Sequence, residues 1–318
     1  MDRSIELGLV STIIPVFNRP KMVVEAIQSV LAQDYRPIEL IVVDDGSTDD
    51  TAIVLAEMEN KHPEIIFLQQ ENSGPGAARE LGRQSAAGEF IQYLDSDDLL
   101  LASKFSKQVS ALRTQVDCDV AYGRTQLLIN GVLHYEAGWK RTGEKIDLMF
   151  PSFLNQRWWG TSTPLYRRKV IDQAGVWGNF INEEDWEYDC RIAAMGTRLA
   201  YVDEVVSQQR RHDQHLSEYG TTDPVKLKHR CQARQKIYQS AIGSTIAIPE
   251  SEMQFFSKAI FLLARECAAA GLAECVNDML RLSGIAAKNS RFKQWLFQVM
   301  GKCVGWRNAA KIVTAFGY

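Results

Sequence analysis

Four apolar runs of strand length, "LVSTIIPVF" (9–17), "IELIVV" (38–43), "EIIFLQQ" (64–70) and "FIQYL" (90–94), alternate with segments of helical period. No other feature of the chain restricts its fold as much. Strands that alternate singly with helices return through crossovers, so they lie parallel, with helices on both faces of the sheet. The linking segments carry helical signals. In "PKMVVEAIQSVLAQ", Pro20 is placed to open a helix, and Val24, Ile27 and Leu31 share one face. In "GSTDDTAIVLAEM", Ser47 and Asp50 have the spacing of a capping box. "GPGAARELGRQSAA" reads as a small-residue helix stopped by Gly88.

In such sheets, ligands bind beyond the carboxyl ends of the strands. The first run ends in Pro15, Val16, Phe17 and Asn18, the second in Asp44-Asp45-Gly46-Ser47, and the fourth in Asp95-Ser96-Asp97-Asp98. A flat aromatic ring and two acidic clusters on one edge suit a nucleotide and its cation. Phe17 can stack on a base, and a carboxylate can accept from a base imide or a ribose hydroxyl. In extended chain, Asp95 and Asp97 project to one side and can share Mg²⁺ or Mn²⁺, which prefer oxygen ligands. Taken singly, each cluster is better explained by turn chemistry and Phe17 by core packing; their coincidence on one sheet edge favours the ligand reading.

At 318 residues the chain has room for one large domain or two modest ones. The net charge of −3 gives no general attraction to nucleic acid. The six cysteines include no CxxC pair and read as reduced interior thiols. With no leader-like start and no bilayer-length apolar run, the expected location is cytoplasmic. Beyond residue 120 the pattern is mixed, with "NQRWWGTSTPLYRR" followed by a short helix in "EEDWEYDCRIAAMG". After Gly220 it becomes helical, in "KLKHRCQARQKIYQSAI", "SEMQFFSKAIFLLARECAAAG" and "RFKQWLFQVMGKCVGW". The expected domains are therefore 8–220 and 221–318, an α/β domain followed by a helical region.

"VSTIIPVFNRP", "AIQSVLAQDYRPIELIVVDDGSTDDT", "NSGPGAARELG" and "GEFIQYLDSDD" resemble, in order and spacing, the successive motifs of inverting family 2 glycosyltransferases of GT-A fold. The resemblance implies a mostly parallel, Rossmann-like sheet and a nucleotide-diphosphate sugar donor, with UDP favoured. It places Pro15, Phe17, Asn18, Asp45, Ser96 and Asp95 on the donor side, with Asp95 and Asp97 as the DxD pair for ribose and diphosphate-bound Mn²⁺ or Mg²⁺. Asp98 is an alternative ligand. Arg79 falls where the family often places a basic donor contact, and a solvated helix arginine explains it equally well.

"NEEDWEYD" resembles the family's Glu-Asp motif, which puts the catalytic base on Asp185 with Glu184 beside it. "QRRHDQHLS" resembles its closing segment and draws in Arg210, His212 and Ser217, with His212 as a metal ligand or a diphosphate contact. His215 reads as surface. Trp158 and Trp159 should line the acceptor side or belong to the core. The acceptor is expected to be a glycan or a lipid-linked molecule. After Asp278 the chain has cations and aromatics but no acid, which fits peripheral binding to an anionic membrane as well as a solvated basic face. A sugar nucleotidyltransferase would need a Gly-rich basic loop after the first strand, and "PVFNRP" is not one. A non-catalytic glycan-binding module need not keep Asp185, and a receiver domain would be shorter.

Overall fold

A computed structural model describes residues 4–135, 138–211, 223–287 and 291–315. Its strands are β1 (Glu6–Val16), β2 (Ile38–Asp44), β3 (Ile65–Gln69), β4 (Gly88–Tyr93), β5 (Leu99–Leu100), β6 (Val120–Ile129), β7 (Val132–Tyr135), β8 (Leu165–Arg167) and β9 (Leu199–Arg211). The helices are α1 (Pro20–Leu31), α2 (Thr51–Lys61), α3 (Pro75–Ser85), α4 (Lys104–Thr114), α5 (Arg168–Ala174), α6 (Glu184–Ala194), α7 (Pro224–Ile242), α8 (Glu250–Ala270), α9 (Ala273–Ala286), α10 (Arg291–Val304) and α11 (Trp306–Ala315). The chain forms two units. One comprises Met1–Met149, Trp158–Asn179 and Thr197–His215, and the other Phe150–Arg157, Phe180–Gly196 and Leu216–Tyr318.

The first unit is built on one sheet of order β3-β2-β1-β4-β8-β6-β9-β5, with β7 paired to β6. β3, β2, β1 and β4 run parallel, as the alternation demands. β8 enters antiparallel to β4 and β6, while β6 and β9 are parallel. Side chains alternate between the faces. Val10, Ile14 and Val16 of β1 and Leu40 and Val42 of β2 join one core cluster with Val23, Ala26, Ile27 and Val30 of α1 and Phe105, Val109 and Leu112 of α4. Ile13 points to the other face, where a Cβ on Gly82 of α3 would lie 2.4 Å from its Cγ2. The buried stripe of α1 is thus displaced from the expected Val24, Ile27 and Leu31, with only Ile27 shared.

Two local expectations fail for identifiable reasons. α2 starts at Thr51, and Ser47 does not cap it. The Ser47 hydroxyl instead accepts the Asn18 N–H (2.9 Å), and Asp49 Oδ1 accepts the Thr51 N–H (3.0 Å). Gly88 does not stop α3, which ends earlier. It opens β4, where a Cβ would lie 2.4 Å from Ser11 Oγ and 2.7 Å from Leu9 O.

The second unit is helical, with α6 to α11 and a short 3₁₀ turn at Ser152–Leu154. Among the described residues five helices follow Asp223, where three were expected. α9 had no strong signal, and Gly305 at φ +80° divides α10 from α11 in the run read as continuous. No described helix is long and apolar enough to cross a membrane.

Candidate active site

In the first unit, the carboxyl ends of β1, β2, β4 and β9 carry the predicted donor residues. Pro15 is buried within β1, in register with Val43. Phe17 is half-buried just past the strand end. Asn18, at φ +51°, ties the loop after β1 to the loop after β2, since its Oδ1 accepts the Thr48 N–H (2.8 Å). Gly46 supplies the turn after Asp45 at φ +76°, where a Cβ would lie 2.8 Å from Asn72 N.

Asp45 is buried and organises the loop after β3. Its Oδ1 accepts from Gln70 Nε2 (2.7 Å) and Ser73 N (2.8 Å), and its Oδ2 from Gly74 N (2.8 Å). The residue expected to face a base therefore also holds in place the start of α3, and with it Arg79.

The run Asp95 to Asp98 is a turn rather than extended chain, closed by Asp98 N–H donating to Asp95 O (3.0 Å). Within the turn, Asp95 and Asp97 each meet an arginine from another part of the chain. Arg79 Nη2 reaches Asp95 Oδ1 at 2.8 Å, and Arg19 Nη1 reaches Asp97 Oδ2 at 2.9 Å. Arg19 Nη1 also lies 3.4 Å from Ser96 Oγ. Arg79 is buried, not solvated, with its guanidinium 4.9 Å from the centroid of Trp177. Arg210 donates through its backbone to Asp98 Oδ1 (3.1 Å) and through Nε to Asp97 O, and Nη1 pairs with Glu25. Asp98 is held by the Ser162 hydroxyl at 2.8 Å. Burial, followed by the charges of Asp97 and Asp95, pushes its carboxyl well above the usual carboxylate range. Asp98 is thus a buried link between Ser162 and the backbone of Arg210, while Asp95, with 29 % of its side chain exposed, is the most accessible acid of the run.

This cluster combines hard oxygen donors with arginines suited to phosphate, a fit for a divalent cation bound with a diphosphate. Asp95 and Asp97 are the residues that would hold the cation. Among the described residues no group of three His, Cys, Asp or Glu is gathered in a metal-holding arrangement. His212, His215 and Ser217 lie outside the described residues.

The aromatic pair takes its core alternative. Trp159 is buried against Tyr122, with ring centroids 5.3 Å apart, and buried Trp158 lies under the Arg141 guanidinium at 3.8 Å. Neither presents an open platform for a sugar ring.

In the second unit, Asp185 sits in the first turn of α6 with 28 % of its side chain exposed. Glu183 precedes it at φ +62°, a strained conformation for a side chain of this kind. Arg234 Nε at 2.7 Å and Arg230 Nε at 3.4 Å clamp the Glu183 carboxylate. Glu184 is buried. Asp185 Oδ2 pairs with Arg157 Nη1, and the same guanidinium reaches Asp189 Oδ2 through Nε at 2.6 Å. Asp189 lies one helical turn beyond Asp185, so both carboxylates face the same side of α6.

Sequence reasoning missed Arg19 and Arg157. Arg19 had a signal, as the residue directly after the Phe17-Asn18 strand end. Arg157 had none, because nothing in "NQRWW" shows that it faces acids some thirty residues on.

Comparison with known proteins places the family and the fold. A glycosyltransferase of Rickettsia felis, described as uncharacterized, is 45% identical over 100 residues, which are 31% of this chain and 16% of that protein. An uncharacterized glycosyltransferase of Rickettsia typhi is 31% identical over 210 residues, 64% of each chain. The chain thus spans less than two thirds of either relative. S. aureus TarS 1–349, solved in complex with UDP-GlcNAc, shares the fold at TM-score 0.70 and 17% identity, over 96% of this chain and 91% of that one. The architecture is that of the GT-A class, as the motif order implied. The family model described as glycosyl transferase family 2 matches residues 11–171, more than half of the 318, and the chain belongs to that family.

Proposed function

We propose that this protein is an inverting glycosyltransferase that moves a sugar from a nucleoside-diphosphate donor, UDP-linked by preference, to an acceptor hydroxyl on a glycan or lipid-linked molecule. The observation that carries the reading is the set of arginines, Arg19, Arg79 and Arg210, gathered on the Asp95–Asp98 turn at the carboxyl edge of the sheet. A bare acidic turn would not need them, whereas a site for a metal diphosphate would.

In this reading Phe17 stacks on the base, and Asp45 meets it while keeping the loop after β3 in shape. Asp95 and Asp97 would hold a divalent cation, Mn²⁺ or Mg²⁺, whose charge would offset that of the departing diphosphate. Arg79 and Arg210 supply further positive charge for the phosphates. Asp185 accepts the proton of the acceptor hydroxyl as it attacks the anomeric carbon, and Arg157 sets the orientation of its carboxylate. We assign this chemistry to residues 8–220, with 221–318 as a helical region. The free cysteines of the chain support a reducing, cytoplasmic setting.

The test is calorimetric titration of UDP, GDP and dTDP, each with Mn²⁺ and with chelator, on wild type and Asp97→Ala. Metal-dependent binding of one nucleotide, lost in the variant, is expected. Failure of folded wild type to bind any of them would overturn the donor assignment. Binding without turnover of any matching sugar nucleotide would return the protein to the class of binding modules.

A further inference from the structure

The helix α10 is apolar on both faces. Gln294, Phe297 and Gly301 are buried: Gln294 Nε2 donates to Ser283 Oγ of α9 (2.6 Å), and the Phe297 ring lies 5.7 Å from that of Phe261 of α8. The opposite side presents Trp295, Leu296 and Val299, which remain 57%, 44% and 36% exposed, with Lys302 beside them at helical spacing. A helix at the surface of a water-soluble body normally turns polar groups outward. On α11, Ile312 and Lys311 are exposed in the same manner.

Charge selects the occupant of this surface. Residues 279–318 contain Arg281, Lys288, Arg291, Lys293, Lys302, Arg307 and Lys311 and no Asp or Glu. They therefore carry +7, and the remaining chain carries −10, given the net charge of −3. A second copy paired face to face would offer the same cationic surface and repel it. An anionic bilayer offers both an apolar layer and opposite charge.

We propose that α10 and α11 form a docking surface for an anionic membrane. Trp295, Leu296 and Val299 enter the headgroup boundary, and Lys302 and Lys311 meet the lipid phosphates. The lysine stems lie along the apolar layer while their ammonium groups stay in water. The surface holds the protein on a bilayer without crossing it. Its acceptor would then be reached at that surface. Vesicle binding of this kind requires no nucleotide, sugar or transferase activity, so it is tested separately from the catalytic reading.

The experiment is co-sedimentation of the full chain with phosphatidylcholine vesicles, with and without phosphatidylglycerol, at low and high salt. Wild type should bind only the anionic vesicles and lose binding as salt rises. Trp295→Ser with Leu296→Ser should release it. Lys302→Glu with Lys311→Glu should weaken binding by at least about 25-fold, from about fivefold per cation. Lys61→Glu with Lys107→Glu changes net charge equally on exposed positions of α2 and α4 and should leave binding intact. Circular dichroism confirms that each variant is folded. Absence of binding by folded wild type, equal binding to neutral vesicles, or equal loss in the control pair would each overturn the proposal. So would light scattering that shows an oligomer dissociated by the α10 variants.

Discussion

At the scale of single residues, three acids of the candidate site, Asp95, Asp97 and Asp185, are each paired with an arginine. Asp45, Asp95, Asp97 and Asp185 stand in short motifs, each readable from a few neighbours. The arginines that answer Asp95, Asp97 and Asp185 come from other parts of the chain, and only the fold brings them together. Replacing Asp185 with Asn should lower turnover by about 10²–10⁴-fold with donor binding unchanged, read as nucleotide release and by calorimetry. The Arg157 pair can be tested without substrate. Arg157→Met removes the guanidinium 2.6 Å from Asp189, whose side chain is 1 % exposed. Urea unfolding should show a loss of about 3–5 kcal/mol, much of it recovered in Arg157→Met with Asp189→Leu. Lys104 is a third case, invisible in sequence. Its fully buried amine donates to Gln108 Oε1 (2.7 Å) and Thr163 O (2.6 Å), and burial holds its pKa well below that of a free lysine. In the window between that lowered value and the unfolded value of 10.5, the unfolded chain binds more protons. Stability there should rise with pH, by up to about 1.4 kcal/mol per unit. Lys104→Met should remove this slope in urea melts taken across pH.

At the scale of elements, the sequence located most strands and helices, and its errors concern boundaries and stops. Gly88 reads as a helix stop because glycine often is one. Its actual role is to let β4 lie against β1, a relation between segments far apart in the chain. Gly88→Ala should cost about 1–3 kcal/mol in thermal or urea unfolding, since its Cβ would collide with Ser11 and with the backbone of β1. Ser47 and Asp50 match a capping box in spacing, yet the Ser47 hydroxyl serves the loop after β1 and α2 begins later. The turn at Asp95 to Asp98 is the error with most bearing on function. Read as extended chain, its acids project to one side; folded as a turn, Asp95 meets Arg79 and Asp97 meets Arg19.

At the scale of the whole molecule, a nucleotide that binds the folded protein alone stabilises it by mass action. Saturating the correct nucleoside diphosphate with Mn²⁺, at about 100 times its dissociation constant, should add about 2.7 kcal/mol and raise the melting temperature by several degrees. Calorimetric scans with chelator, or on Asp97→Ala, should show no such shift. The alternation of apolar runs and helical periods by itself determined a parallel sheet with helices on both faces, and the motif order determined the family. Both are written in short stretches of chain, where period and spacing are enforced by backbone geometry. The tertiary structure alone decided which acid of the turn is most buried, which arginine holds which carboxylate, that the tryptophan pair belongs to the core, and that α10 leaves an apolar face outward. Those outcomes depend on burial and on distances between residues remote in sequence, and neither quantity exists until the chain has folded.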